Sequence, residues 1–99
     1  MSVELEKKII KVANGWGLYE NTTVEDQIEK LMEEVLELEE AIEIGNMGEV
    51  KLELGDCLVV MINIAAKMGI SLEMCGYLAY EKIRTRTGKM IGGKFVREK

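Results

Sequence analysis

The 99-residue chain contains no histidine and no proline, and aromatic residues make up only 5% of it. Without histidine, the chain cannot build a di-iron carboxylate bundle, which needs Glu-x-x-His pairs on two helices. The two cysteines, Cys57 and Cys75, are far apart among apolar residues, which is typical of buried thiols in a reduced protein rather than of a metal site. The absence of proline favours helices with few breaks.

No apolar run reaches the roughly 20 residues that cross a bilayer, and the N-terminal segment is charged and amphipathic rather than a signal sequence. We therefore expect a cytoplasmic protein with no membrane partner. With 47% hydrophobic and 31% charged residues, the composition is that of a globular chain, and residues 1–99 predict a single domain.

The formal net charge of −5 is unevenly distributed along the chain. Residues 82–99 carry seven basic side chains and one acidic one, which leaves a net charge of −11 on the other 81 residues. An acidic body repels the phosphate backbone, so a nucleic-acid partner is disfavoured. The basic C-terminal segment is either a solvated tail or a surface for an anionic ligand.

Apolar periodicity and capping residues predict an all-α fold of four antiparallel helices with a short C-terminal β-hairpin. The predicted helices span 3–13, 24–44, 47–68 and 72–86, with a loop over 14–21 and the hairpin over 89–96. Either Thr22 or Thr23 caps the second helix. A stripe at alternating spacings of three and four residues predicts its buried face: Val24, Ile28, Leu31, Val35, Leu38 and Ile42.

The third helix is apolar on nearly all sides after Asp56, and such a helix must be covered all round. Three other short helices cannot do so in a monomer. The sequence therefore predicts self-association, as a homodimer or a homotetramer.

Two pairs of carboxylates follow an i, i+3 spacing: Glu34 with Glu37 on the second helix, and Glu53 with Asp56 on the third. The short connection between the helices makes them antiparallel neighbours, so the four carboxylates are expected to converge. A divalent cation removes the resulting repulsion, and oxygen ligands alone select hard ions, Mg²⁺ first with Mn²⁺ as a substitute. The alternative is that these acids are solvated surface on a non-catalytic helical oligomerisation module.

Two further residues on the third helix are unusual for their positions. Gly55 costs roughly 1 kcal/mol in mid-helix relative to alanine, and the space it leaves would let a ligand or another backbone approach the acids. Asn63 is an amide in an apolar run, and a buried amide needs partners. Either a nucleobase or sugar, or the protein itself, supplies them.

The acidic residues carry a resemblance to a known family. The segment Gln27–Leu38 contains two adjacent glutamates and a third three residues later, and Glu53-Leu-Gly-Asp56 follows on the next helix. This pattern resembles the signature of the MazG-like all-alpha NTP pyrophosphatases, and residues 86–96 are similar to the tails of short phage-type and prophage-type members. The similarity covers about residues 14 to 97.

The resemblance implies a Mg²⁺-dependent enzyme that hydrolyses nucleoside triphosphates to the monophosphate and pyrophosphate by water attack at the α-phosphate, in nucleotide pool cleansing. It implies Mg²⁺ ligation by the four acids above, with Glu33 positioning or deprotonating the water. It also implies phosphate contacts by Lys82 and Arg86, although the family's usual asparagine stands here as Tyr80. Phosphoribosyl-ATP pyrophosphohydrolase is an alternative activity with the same acidic helices.

Two more residues are candidates for the nucleotide site. Lys30, one turn before Glu34, either contacts phosphate or pairs with an acid. Trp16, which follows the first helix, either stacks on a base or packs in a core or an interface.

Overall fold

The structure, a computed structural model that describes residues 2–98, contains five α-helices and one antiparallel hairpin. The elements are α1 (Val3–Gly15), α2 (Leu18–Asn21), α3 (Val24–Ile44), α4 (Met47–Lys67), α5 (Leu72–Ile83), β1 (Gly88–Ile91) and β2 (Lys94–Arg97). The predicted all-α class with a terminal hairpin is confirmed. The four-residue helix α2 lies in the predicted loop, and α5 ends three residues earlier than predicted.

Side-chain caps define where α3 and α4 begin. The Thr23 hydroxyl accepts a hydrogen bond from the Asp26 amide at 3.0 Å, and the Asp26 carboxylate accepts one from the Thr23 amide at 2.9 Å. This capping box identifies Thr23, not Thr22, as the cap. At the other end, Gly45 adopts a left-handed φ of 80°, which a residue with a side chain rarely tolerates, and Asn46 then caps α4.

The tight turn at Gly45 places α3 and α4 side by side as the most extensive helix pair, and α1 crosses α4. The apolar core lies at these contacts: Ala13, Ala41, Cys57, Val60, Ile62 and Ala65.

The predicted buried stripe of α3 is only partly covered within one chain, where Val24, Leu31 and Leu38 are half-buried. Ile28, Val35 and Ile42 remain 44%, 50% and 58% exposed. The buried residues of α3 each precede one of them: Gln27, Glu34 and Ala41. Sequence periodicity finds an apolar face but does not tell whether the same chain covers it.

The C-terminal part of the chain extends away from the helix pair. Helix α5 is turned by 100° from α4 and has no buried residue. All eight strand residues of the hairpin are exposed as well. Between residues 2 and 98 no single helix is both long and apolar enough to cross a membrane, whereas the bent pair of α4 and α5 passes that test of length and composition jointly.

Candidate metal centre

Three carboxylates meet where α3 and α4 lie side by side. One oxygen each from Glu34, Glu37 and Glu53 lies within 4.8 Å of the others, close enough to share one cation. The i, i+3 spacing puts Glu34 and Glu37 on one face of α3, and the antiparallel turn brings Glu53 of α4 opposite them.

The cluster has acceptor atoms that the protein itself leaves without donors. Glu34 is only 5% exposed, and its Oε2 atom is buried with no hydrogen-bond partner among the described residues. The Oε2 atom of Glu53 is buried and without a partner in the same way. Buried carboxylate oxygens are normally satisfied by donors or by metal ions. These two oxygens therefore fit a hard cation.

The electrostatics of Glu53 reflect the same crowding. Burial, followed by the neighbouring carboxyl groups of Glu34 and Glu37, raises the pKa of Glu53 from 4.5 to about 7. A third negative charge at this position is unfavourable unless a proton or a cation compensates it.

Asp56, the fourth predicted ligand, lies outside the group of three. It is exposed, one turn after Glu53 on α4. Its role as a ligand stays a prediction. The adjacent Gly55 leaves open space, because a Cβ atom there would meet nothing within 4 Å.

Lys30 pairs with the acids on its own helix. Its ammonium nitrogen lies 3.1 Å from Glu34 Oε1 and 3.5 Å from Glu33 Oε2. The hydrogen bond to Glu34 is the main reason why the pKa of Lys30 is raised. Lys30 therefore neutralises one oxygen of Glu34, while the opposite oxygen, Oε2, has no partner in the part of the chain that the structure describes. Glu33 is exposed beside it.

Beside the carboxylates is a cleft of about 340 Å³ with no basic residue in its lining, which consists of Glu37, Glu40, Ala41, Ile44, Asn46, Glu49 and Glu53. Lys82 and Arg86, predicted to contact phosphate, form no ion pair within residues 2–98. Neither of them lines this cleft, and their contact with phosphate stays a prediction.

Asn63 has a partner inside the protein. It is 2% exposed, and its Oδ1 atom accepts a hydrogen bond of 2.7 Å from the Tyr19 hydroxyl. Lys67 holds the same segment by donating to the backbone oxygens of Tyr19 and Thr22. A nucleoside contact by Asn63 stays a prediction. The sequence did not predict the roles of Tyr19 and Lys67. The signal that could have found them was that a buried amide such as Asn63 needs a hydrogen-bond partner within the protein or in a ligand.

Trp16 and Cys57 differ sharply in exposure. Trp16 is 73% exposed at a shallow apolar depression that it shares with Val59 and α1, so its ring is available for stacking.

Cys57 is buried near the acids, and burial together with the charges of Glu34, Glu53 and Asp56 raises the pKa of its thiol. Cys57 is not among the residues whose ligand atoms converge, so the candidate centre consists of carboxylate oxygens.

Comparison with known proteins gives one result. The family described as the MazG nucleotide pyrophosphohydrolase domain matches residues 22–91, a span that contains the three clustered carboxylates. No curated protein and no solved structure matches the chain.

Proposed function

The chain belongs to the MazG nucleotide pyrophosphohydrolase domain family, and from that premise we propose that it hydrolyses nucleoside triphosphates to the monophosphate and pyrophosphate with Mg²⁺ as cofactor. The observation that supports this most is the cluster of Glu34, Glu37 and Glu53, with two buried oxygens that have no donor among residues 2–98. A purely structural acidic surface has no reason to bury unsatisfied carboxylate oxygens.

In this mechanism the three carboxylates hold the cation, and Mn²⁺ replaces Mg²⁺ because both accept oxygen ligands. When bound, the metal supplies a Lewis acid and a template for the triphosphate oxygens. Lys30 fixes the orientation of Glu34 through its 3.1 Å contact. Glu33, exposed beside Lys30, orients or deprotonates the water that attacks the α-phosphorus. Asp56, exposed one turn after Glu53, would complete the ligand set.

The test is a panel of ribo- and deoxynucleoside triphosphates, with phosphoribosyl-ATP as the competing substrate, scored for pyrophosphate release with and without Mg²⁺. Glu37→Gln is expected to lower turnover at least about 100-fold, because it removes a ligand charge from the shared ion. Glu39→Gln is the matched control, since Glu39 is exposed on the same helix and outside the cluster. Full Mg²⁺-dependent turnover by Glu37→Gln would contradict the assignment.

We also propose that the chain self-associates along the exposed apolar face of α3. The accessible surface of 7584 Å² exceeds the roughly 5,700 Å² expected for a folded monomer of 11.2 kDa. The radius of gyration is 16.0 Å, against roughly 13 Å for a compact domain of this length. Both excesses support an assembly in which a second copy covers Ile28, Val35 and Ile42.

A further inference from the structure

We infer that the ammonium group of Lys30 takes the place of a second metal ion at the acidic cluster, so that each site binds a single divalent cation. The inference rests on the proposed function and adds to it the number of ions and the role of Lys30. Its three supports are the contacts of Glu34, the burial of that carboxylate and the space that a cation needs beside it.

The two oxygens of Glu34 have different surroundings. Oε1 lies 3.1 Å from the ammonium nitrogen of Lys30, whereas Oε2 is buried and has no partner among residues 2–98. The same nitrogen lies 3.5 Å from Oε2 of Glu33. An ionised carboxylate has lone pairs on both oxygens and can bind a different cation with each. Glu34 is therefore placed to bridge the ammonium group on one oxygen and a metal ion on the other.

The burial of Glu34 distinguishes this contact from an ordinary surface ion pair. The side chain of Glu34 is only 7% exposed, while that of Lys30 is 50% exposed. A carboxylate withdrawn from water needs a positive or hydrogen-bonding partner, so a cation is required beside Oε1. A lysine four residues before a glutamate is also the weaker order of such a pair for helix stability. The contact therefore compensates the charge of the cluster more than it stabilises α3.

A second metal ion cannot share this position with the ammonium group. Mg²⁺ binds carboxylate oxygens at roughly 2.0–2.1 Å, so an ion held by Glu33 and Glu34 would overlap the place of the Lys30 nitrogen. Two cations so close together repel each other. Without the ammonium group, one oxygen from each glutamate becomes free. Two carboxylates are sufficient for Mg²⁺, which keeps several of its waters.

Mn²⁺ binding tests the inference, because electron paramagnetic resonance counts bound ions without any nucleotide or turnover. The wild type is expected to bind one Mn²⁺ per chain. Lys30→Met, which keeps a long unbranched side chain without the charge, is expected to bind two. Two ions that share Glu34 would lie roughly 3.5–4 Å apart, as in two-metal sites, and should show spin coupling. Lys8→Met is the matched control, because it removes the same charge from an exposed 3.8 Å pair with Glu4 and should keep one ion.

Three more variants define the position of the second ion. Lys30→Met/Glu33→Gln removes a ligand charge from that position and should return the count to one. Lys30→Arg restores a positive charge and should also bind one ion. Lys30→Gln keeps an N–H donor for the buried Glu34 carboxylate, so it retains the fold if Lys30→Met does not. It should bind two coupled ions.

The outcomes separate the inference from the proposed function. A wild type that binds no Mn²⁺ overturns both. A single ion in the wild type and in every folded uncharged variant of Lys30 overturns the inference and leaves the metal site standing. Two coupled ions in the wild type overturn it as well, because the ammonium group then moves aside for a metal. A second ion without spin coupling lies on a distant surface acid, and that result also contradicts the inference.

Discussion

Glu53 is the carboxyl group whose charge the fold disfavours and the proposed metal site requires. Its carboxyl group is desolvated and faces two others, so the metal-free protein keeps it protonated up to about pH 7. Protons and divalent cations therefore compete for the same group.

The stability of the metal-free protein should report this competition. Between the ordinary pKa of 4.5 and the folded value of about 7, the folded chain holds a proton that the unfolded chain has lost. The melting temperature in EDTA should therefore fall as pH rises through that window and level off above it. Glu53→Gln should lack the decline, and at about pH 8 Mg²⁺ should raise the melting temperature of the wild type only. Identical pH curves for the two proteins would contradict this account.

At the residue scale, the sequence predicted the carboxylates that meet but not every member of the set. The i, i+3 spacing and the short turn were sufficient for Glu34, Glu37 and Glu53, because both are local properties. Asp56 shares that spacing and still lies outside the cluster, since the rotation of α4 about its own axis depends on packing elsewhere. The bond from Tyr19 to Asn63 joins residues 44 positions apart and has no local signal.

At the element scale, helix positions followed from periodicity and caps, whereas the arrangement of α5 depends on a distant contact. Glu6 of α1 is 4% exposed and accepts hydrogen bonds from the backbone amides of Leu72 and Glu73 and from the Ser71 hydroxyl. A carboxylate at a helix N-terminus accepts hydrogen bonds from the free backbone amides and interacts favourably with the positive end of the helix dipole. Since no residue of α5 is fully buried, these hydrogen bonds at its N-terminus help to orient it against α1.

Glu6→Gln should therefore destabilise the fold by about 2 kcal/mol, because an amide nitrogen cannot accept a bond that a carboxylate oxygen accepts. Burial raises the pKa of Glu6, but the bonds from Glu73, Leu72 and Ser71 together lower it below 4.5. Its contribution is thus complete above pH 4.5 and is lost as pH falls through the folded pKa.

Urea unfolding at a fixed protein concentration measures the loss of stability in Glu6→Gln and, when it is repeated at several pH values, the pH dependence of the Glu6 contribution. Glu4→Gln is the control, since Glu4 is exposed in a 3.8 Å pair with Lys8 and should change stability by less than about 0.5 kcal/mol. A loss for Glu6→Gln no larger than that of the control would show that α5 is held by other contacts.

At the scale of the whole molecule, three residues of the stripe predicted on α3, Ile28, Val35 and Ile42, form the face left exposed. Periodicity correctly located an apolar face, and the chain packs the neighbouring positions Gln27, Glu34 and Ala41 against α4 instead. One helix with two packed faces is typical of a bundle in which the second face belongs to a subunit contact. The failed prediction of burial within the chain is therefore an argument for assembly.

Val35, at the centre of that face and 50% exposed, gives the sharpest test. An unpaired carboxylate at this position would be desolvated in the assembly and solvated in the monomer, so Val35→Glu should weaken association by about 100-fold. Sedimentation should show the wild type above 11.2 kDa and the variant shifted toward that mass. Val3→Glu makes the same chemical change at an exposed position on α1 and should leave the assembly intact.

Because association stabilises the folded state by mass action, the melting temperature of the wild type should also rise with protein concentration, and that of Val35→Glu should rise less. A wild type of monomer mass with a concentration-independent melting temperature would mean that this face is exposed in the working protein, and the proposed self-association along α3 would then fail.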